Sequence, residues 1–158
     1  MPKITALVHT HNDALRLGRA LDSLRPCDEV LVIDSESDDD TEKVARDHGA
    51  HIKKAIPGVT SGAYVMDAEN EWILCLRANE SLSDDLEAAL FEWKEKEVDE
   101  NVACFRVSIR KENGIGWEKL SPETRLVNRA RINWVGEMPP EQTCSSMLSG
   151  DLLSFQDP

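Results

Sequence analysis

Three short apolar runs constrain this chain more than anything else in it: Ile4–Val8 (ITALV), Glu29–Ile33 (EVLVI) and Trp72–Leu76 (WILCL). Strands whose successive side chains are nearly all apolar have both faces covered, the habit of central strands in a parallel sheet. Parallel neighbours need crossover connections, usually helices, and helical spacing follows these runs. From Ala14 the residues Leu17, Ala20, Leu21 and Leu24 recur at steps of three and four until Pro26 stops them. After the second run, "DSESDDDT" offers turn and capping residues, and a short helix is predicted over Glu42–His48, ended by Gly49. His51–Ala55 reads as a third strand, "IPGVTSG" as a loop and Ala63–Glu69 as a weak helix before the fourth strand. Ser83 is placed to cap a helix reaching about Lys96, with Leu86, Ala89, Leu90 and Trp93 as its apolar stripe.

Beyond that helix the period changes. Val102–Ile109 alternates, "KENGIG" supplies a turn, and Thr124–Val127 and Ile132–Val135 read as further strands. The expectation is one α/β domain over 1–158, with a mixed, mostly parallel sheet flanked by helices and antiparallel additions at one side. At 158 residues and 41% hydrophobic content the chain can bury one core. Each apolar run meets polar residues at its carboxyl end, where open α/β sheets carry ligands. The fourth does so at Arg77, Ala78, Asn79 and Glu80.

Thirty acidic against 18 basic side chains give a net charge of −12, which excludes nucleic acid and anionic membrane surfaces as partners unless a basic patch overrides it. None is visible. The same field repels a nucleoside diphosphate, so a site for one must supply its own cation or helix N-terminus. No stretch has the apolar length of a membrane span and Met1–Ile4 lacks the start of a signal peptide, so a cytoplasmic location is expected. Cys27, Cys75, Cys104 and Cys144 are far apart and read as reduced thiols, mostly core filler. His9 and His11 share one face of a strand while His48 and His51 flank a helix end, so the four imidazoles form no evident metal cluster.

Three segments in order, "ALVHTHNDALRLGRALDSL", "DEVLVIDSESDDDT" and "EWILCLRANESLSDDL", resemble the nucleotide-sugar-binding half of an inverting family 2 glycosyltransferase, closest to the small bacterial enzymes that build lipopolysaccharide cores. The resemblance implies the Rossmann-like GT-A nucleotide-diphospho-sugar transferase fold. It makes 1–100 the nucleotide-binding βα half and 101–158 a short, β-rich acceptor-side half. The family's T-x-N-E pattern is matched by Thr10, His11, Asn12 and Asp13, and its D-S-x-S-x-D-x-T by Asp34, Ser35, Ser37, Asp39 and Thr41. By resemblance Thr10, Asn12, Asp13, Asp34, Ser35 and Ser37 form the nucleotide site, with Asp34 accepting from the base imide. The same residues also suit the capping of the helices that follow. The partners implied are a nucleotide-sugar donor, UDP-linked, and an acceptor hydroxyl of unknown identity.

The pattern departs from the family where catalysis is expected. The D-x-D-E that holds Mg²⁺ or Mn²⁺ against the donor's phosphates aligns with Arg77, Ala78, Asn79 and Glu80, so a conventional metal site is not expected. The family's Arg-Asn pair falls on Gly62 and Ala63, and its His-Glu pair on Pro140 and Glu141, which leaves Glu141 as the candidate base. Two functional readings follow. One is a transferase in which Arg77, with Asn79 and Glu80, receives the donor phosphates without a metal. The other is a catalytically inactive relative that binds a nucleotide sugar or a protein. Arg77 could also simply pair with Glu80, Asp84 or Asp85. Trp117, after the glycines of "NGIGW", is the tryptophan expected to be exposed on the acceptor side.

Overall fold

The computed structural model describes residues 2–59, 61–97, 99–134, 136–140 and 146–156. Its elements in chain order are β1 (Ile4–Thr10), α1 (Leu17–Asp22), β2 (Glu29–Asp34), α2 (Thr41–Asp47), β3 (His51–Lys54), α3 (Ser61–Tyr64) with a 3₁₀ turn at Val65–Asp67, β4 (Trp72–Arg77), β5 (Glu80–Leu82), α4 (Asp84–Glu95), β6 (Cys104–Asn113), β7 (Gly116–Asn128) and β8 (Met147–Ser154). The eight strands form one sheet in the order β3-β2-β1-β4-β7-β6-β8-β5. The pairs β1–β2, β1–β4, β2–β3 and β6–β8 are parallel, and β4–β7, β6–β7 and β5–β8 antiparallel. This is the mixed, mostly parallel α/β sheet that the apolar runs imply.

Alternation along the central strands divides the core between two faces. Ile4, Ala6 and Val8 of β1 and Leu74 and Leu76 of β4 pack with Leu17 and Leu21 of α1, Ala45 of α2, and Leu86 and Leu90 of α4. Leu7, Ile73 and Cys75 face the other way, against Tyr64, Val65, Ala68, Val127 and Trp134. Coverage on both sides explains why these strands have no polar alternation. Ser83 caps α4, its hydroxyl accepting from the Leu86 amide at 3.2 Å. No helix among the described residues is long and apolar enough to cross a membrane.

Several expectations are corrected. The first helix begins at Leu17 rather than Ala14, because Asp13 to Arg16 form a turn in which the Asp13 carbonyl accepts from the Arg16 and Leu17 amides at 2.9 and 2.8 Å. Ile132–Trp134 is not a strand: the Arg131 and Ile132 amides turn back onto the Asn128 carbonyl at 3.1 and 3.0 Å, and Trp134 drops into the second core cluster. Val135 lies outside the described residues. Two strands are additional, β5 and β8. The thiol expectation changes as well, since Cys27 and Cys75 are free but Cys104 is disulfide-bonded. Burial pushes the Cys75 thiol up to about 12.

Candidate functional site

The strand order reverses at β1, with the β2 crossover on one side and β4 on the other. Open α/β sheets have their ligand crevice at such a switch, outside the carboxyl ends of the strands. Register brings the tips together: Thr10 lies beside Asp34, and His9 beside Arg77. A cleft of about 560 Å³ opens there, within the usual range for small-molecule sites. Its walls include His9, Thr10, Asp13, Ser35, Tyr64, Arg77, Asn79 and Glu137.

The loops after β1 and β2 are tied to each other, and the polar residues of both motifs do the tying. Asn12 donates its amide to the Ser37 hydroxyl at 2.8 Å, and its side-chain oxygen accepts from the Asp38 amide at 2.9 Å. The Asp13 amide donates to the Thr41 hydroxyl at 2.9 Å, and His11 Nδ1 donates to the Ser35 carbonyl. Asn12 and Glu36 adopt positive φ, 51° in each case, a conformation Asn tolerates better than most residues. Thr41 donates hydroxyl and amide to Asp39, and this hydrogen bonding holds the exposed Asp39 carboxyl below its ordinary range.

Asp13 is buried, its carboxylate accepting from the Thr10 hydroxyl and the His11 amide, both at 2.9 Å, and pairing with Arg16. Asp34 is buried at the tip of β2 and accepts from the Ser37 hydroxyl. Thr10, Asp13 and Ser35 line the cleft, while Asp34, Asn12 and Ser37 are not among its lining residues and take part in the hydrogen bonding of the two loops.

At the tip of β4, Arg77 is half-exposed, with Glu137 at 3.6 Å from Nε and Glu80 at 3.9 Å from Nη1. Both contacts are looser than a normal hydrogen bond. Asp84 and Asp85 do not pair with it among the described residues. Asn79 lines the cleft and its side chain donates to the Phe155 carbonyl at 3.3 Å. Glu80 turns inward beneath the cleft. Both of its oxygens are gripped by the buried Arg125, at 2.6 and 2.8 Å, and one also accepts the Arg77 amide at 2.7 Å. Burial works against the Arg125 charge, but the Glu80 carboxylate outweighs it and the guanidinium is held above its ordinary value. A guanidinium, an amide and a carboxylate already occupied do not fit a divalent cation that needs several free oxygens.

His9, Arg16, Tyr64 and Glu137 are polar cleft residues to which the sequence assigned no role in a donor site. For His9 a signal existed, since it precedes Thr10 at the end of the strand; Glu137 is brought in by a loop that sequence could not position. Among the described residues His9 Nε2 is buried without a hydrogen-bond partner, and burial pushes its imidazole below the ordinary value of 6.5, with Glu137 opposing the effect and Arg77 adding to it. Glu141, the candidate base, lies outside the described residues, and Gly62 and Ala63 fall in α3. Trp117 is 45% exposed and packs edge-on against Phe155 at 5.3 Å.

No family profile matches the chain. Curated relatives do: an uncharacterized glycosyltransferase of Rickettsia felis is 40% identical over 91 residues, 55% of this chain and 32% of that protein. One of Rickettsia prowazekii is 35% identical over 91 residues, 55% of this chain and 31% of that protein. The match thus spans about a third of the length of these relatives. Among solved structures, S. aureus TarS superposes with a TM-score of 0.60 at 17% identity, covering 98% of this chain and 35% of TarS. Mannosyl-3-phosphoglycerate synthase from Rubrobacter xylanophilus gives 0.56 at 19%, covering 72% and 42%. Glucosyl-3-phosphoglycerate synthase from Mycobacterium tuberculosis, in complex with Mn²⁺, UDP and phosphoglyceric acid, gives 0.52 at 17%, covering 72% and 45%. Over 91 residues the chain is thus similar in sequence to rickettsial proteins named as uncharacterized glycosyltransferases, and its fold is the GT-A architecture of these solved structures.

Proposed function

We propose that the cleft binds the nucleoside diphosphate of a sugar donor, UDP-linked, with Arg77 receiving the phosphates in place of a metal ion. The observation that carries this reading is the state of Arg77: half-exposed on the cleft wall, always charged, and held among the described residues by contacts of 3.6 and 3.9 Å. A guanidinium so placed can turn to a diphosphate and bind it bidentately. In an acidic chain it supplies the local positive charge that the ligand needs. Thr10, Asp13 and Ser35 line the base and ribose end, with Asp34 behind them, and Asn79 stands beside the phosphates. Transfer to an acceptor hydroxyl, with inversion, assigns the base to Glu141.

Calorimetric titration with UDP and UDP-sugars, with and without Mn²⁺, tests the reading. Binding independent of Mn²⁺ is expected. Arg77→Ala should weaken it by about ten- to a hundredfold, the roughly 1.5–3 kcal/mol of a hydrogen bond to a charged group. Binding that requires Mn²⁺, or that survives Arg77→Ala unchanged, overturns the proposal.

A second reading rests on Glu137, a carboxylate that sits against Arg77 Nε where a phosphate is otherwise expected. In this reading the scaffold is a catalytically inactive relative, and the ion pair closes the anion site. No binding of UDP or UDP-sugars at millimolar concentration favours it, and sugar transfer by the purified protein rules it out.

A further inference from the structure

The edge of the sheet opposite the cleft carries a second cluster of chemistry-bearing residues. Glu29 opens β2, His51 opens β3, and Glu69 lies just before β4. These strands run parallel, so all three residues stand at the amino-terminal edge of the sheet. One ligand atom from each lies within 4.8 Å of the others, at the mouth of a hollow of about 360 Å³.

Glu29 is the anchor. Its side chain is 6% exposed, and Oε1 accepts from the Thr5 hydroxyl at 2.7 Å and the Glu69 amide at 2.9 Å. These two bonds orient the carboxylate and leave Oε2 facing His51 Nδ1 at 3.6 Å, beyond hydrogen-bond range. Among the described residues no lysine or arginine pairs with Glu29 or Glu69. The nearby Lys53 and Lys94 are taken by Asp67 and Asp28, both at 2.7 Å. A buried carboxylate whose Oε2 meets the imidazole only loosely, a second carboxylate and that imidazole are thus gathered with no lysine or arginine paired to them among the described residues.

We propose that Glu29, His51 and Glu69 bind a divalent transition-metal ion, zinc by preference. One nitrogen and two carboxylate oxygens form a three-ligand zinc set that leaves the fourth tetrahedral position to water. Imidazole selects against magnesium and calcium, which prefer all-oxygen shells. Zinc bonds of about 2.0–2.2 Å require the donor atoms to draw together around the ion. His51 and Glu69 are exposed and free to move, while Glu29 stays fixed. The bound ion would clamp the starts of β2 and β3 to the loop before β4. The site uses no residue of the donor cleft.

Zinc titration by calorimetry on the chelator-stripped protein, with melting curves in parallel, tests the site. One zinc ion per chain and a melting temperature raised by saturating zinc are expected. His51→Ala and Glu69→Gln alter exposed side chains and so spare the fold; each should weaken zinc binding by at least about tenfold. UDP titration on the same variants should be unchanged, so failure of this site and failure of the donor cleft are distinguishable. Absence of saturable zinc binding, equal binding by the variants, or tighter binding of Mg²⁺ than of zinc would each overturn the assignment.

Discussion

Arg125 grips both carboxylate oxygens of Glu80, at 2.6 and 2.8 Å, with the two side chains 1% and 3% exposed. The pair joins β7 to the start of β5, and Glu80 in turn receives the Arg77 amide. The acid that opens β5 therefore acts as a structural anchor for the turn after β4.

Removing one partner of this pair strands a buried charge. Arg125→Ala or Glu80→Ala should cost about 3–5 kcal/mol of stability, measured by urea denaturation. Arg125→Ala with Glu80→Gln should recover part of that loss, because the fully buried carboxylate no longer carries a charge, and the Glu123 carboxylate that also pairs with Arg125 is 31% exposed. Full additivity of the two changes would show that they are energetically independent.

Asn12 does two jobs, and substitution separates them. Asn12→Ala loses the side-chain hydrogen bond from the Asp38 amide, keeps the backbone one to Ser37, and places a less suitable residue at φ 51°, for a loss of about 1–3 kcal/mol. Asn12→Gly keeps the backbone relaxed and should cost less in chemical denaturation. Identical losses would refute a backbone contribution.

Gly150 has φ +92°, and an added Cβ would sit 2.4 Å from the Leu86 amide nitrogen. Neither backbone can yield cheaply, since one belongs to β8 and the other to the capped first turn of α4. Gly150→Ala should lower stability by at least about 2 kcal/mol, read as a fall in melting temperature.

His9 couples stability to pH. Its folded-state value lies below 6.5, so the unfolded chain takes up a proton first as pH falls. Its contribution is fully present above about pH 6.5 and is lost as pH falls through the window between that value and the depressed folded one. Denaturation at pH 7.5 and 5.5 should show a smaller acid loss for His9→Gln than for the parent chain. Equal losses would remove His9 as a cause.

The elements most legible in sequence are those that local pattern determines. ITALV, EVLVI and WILCL announce themselves because sheet positions covered on both faces favour apolar residues, with Thr5 and Glu29 admitted as a hydrogen-bonded pair, and Ser83 followed by Leu86 and Leu90 marks α4. β5 is three residues long and begins with a buried glutamate, and β8 contains Gly150, so neither shows strand patterning. The apolar pair Ile132 and Trp134 imitated a strand because loop residues packing on a core follow no period. At the cleft, the strand-end positions of Thr10, Asp13, Asp34 and Arg77 could be read from sequence. The grip of Arg125 on Glu80 and the bridges from Asn12 to Ser37 and Asp38 could not, because partners 25 to 45 residues apart carry no local signal.

Among the described strands β5 pairs with β8 alone, and the Asn79 carbonyl meets the Phe155 amide at 2.9 Å. The consequence is one of timing. As the ribosome releases the chain from its amino end, β1 to β4 can associate early, but the segment after Arg77 waits for residues near 147–156 before it gains its neighbour. The lip of the cleft should therefore be among the last parts of the molecule to set during synthesis.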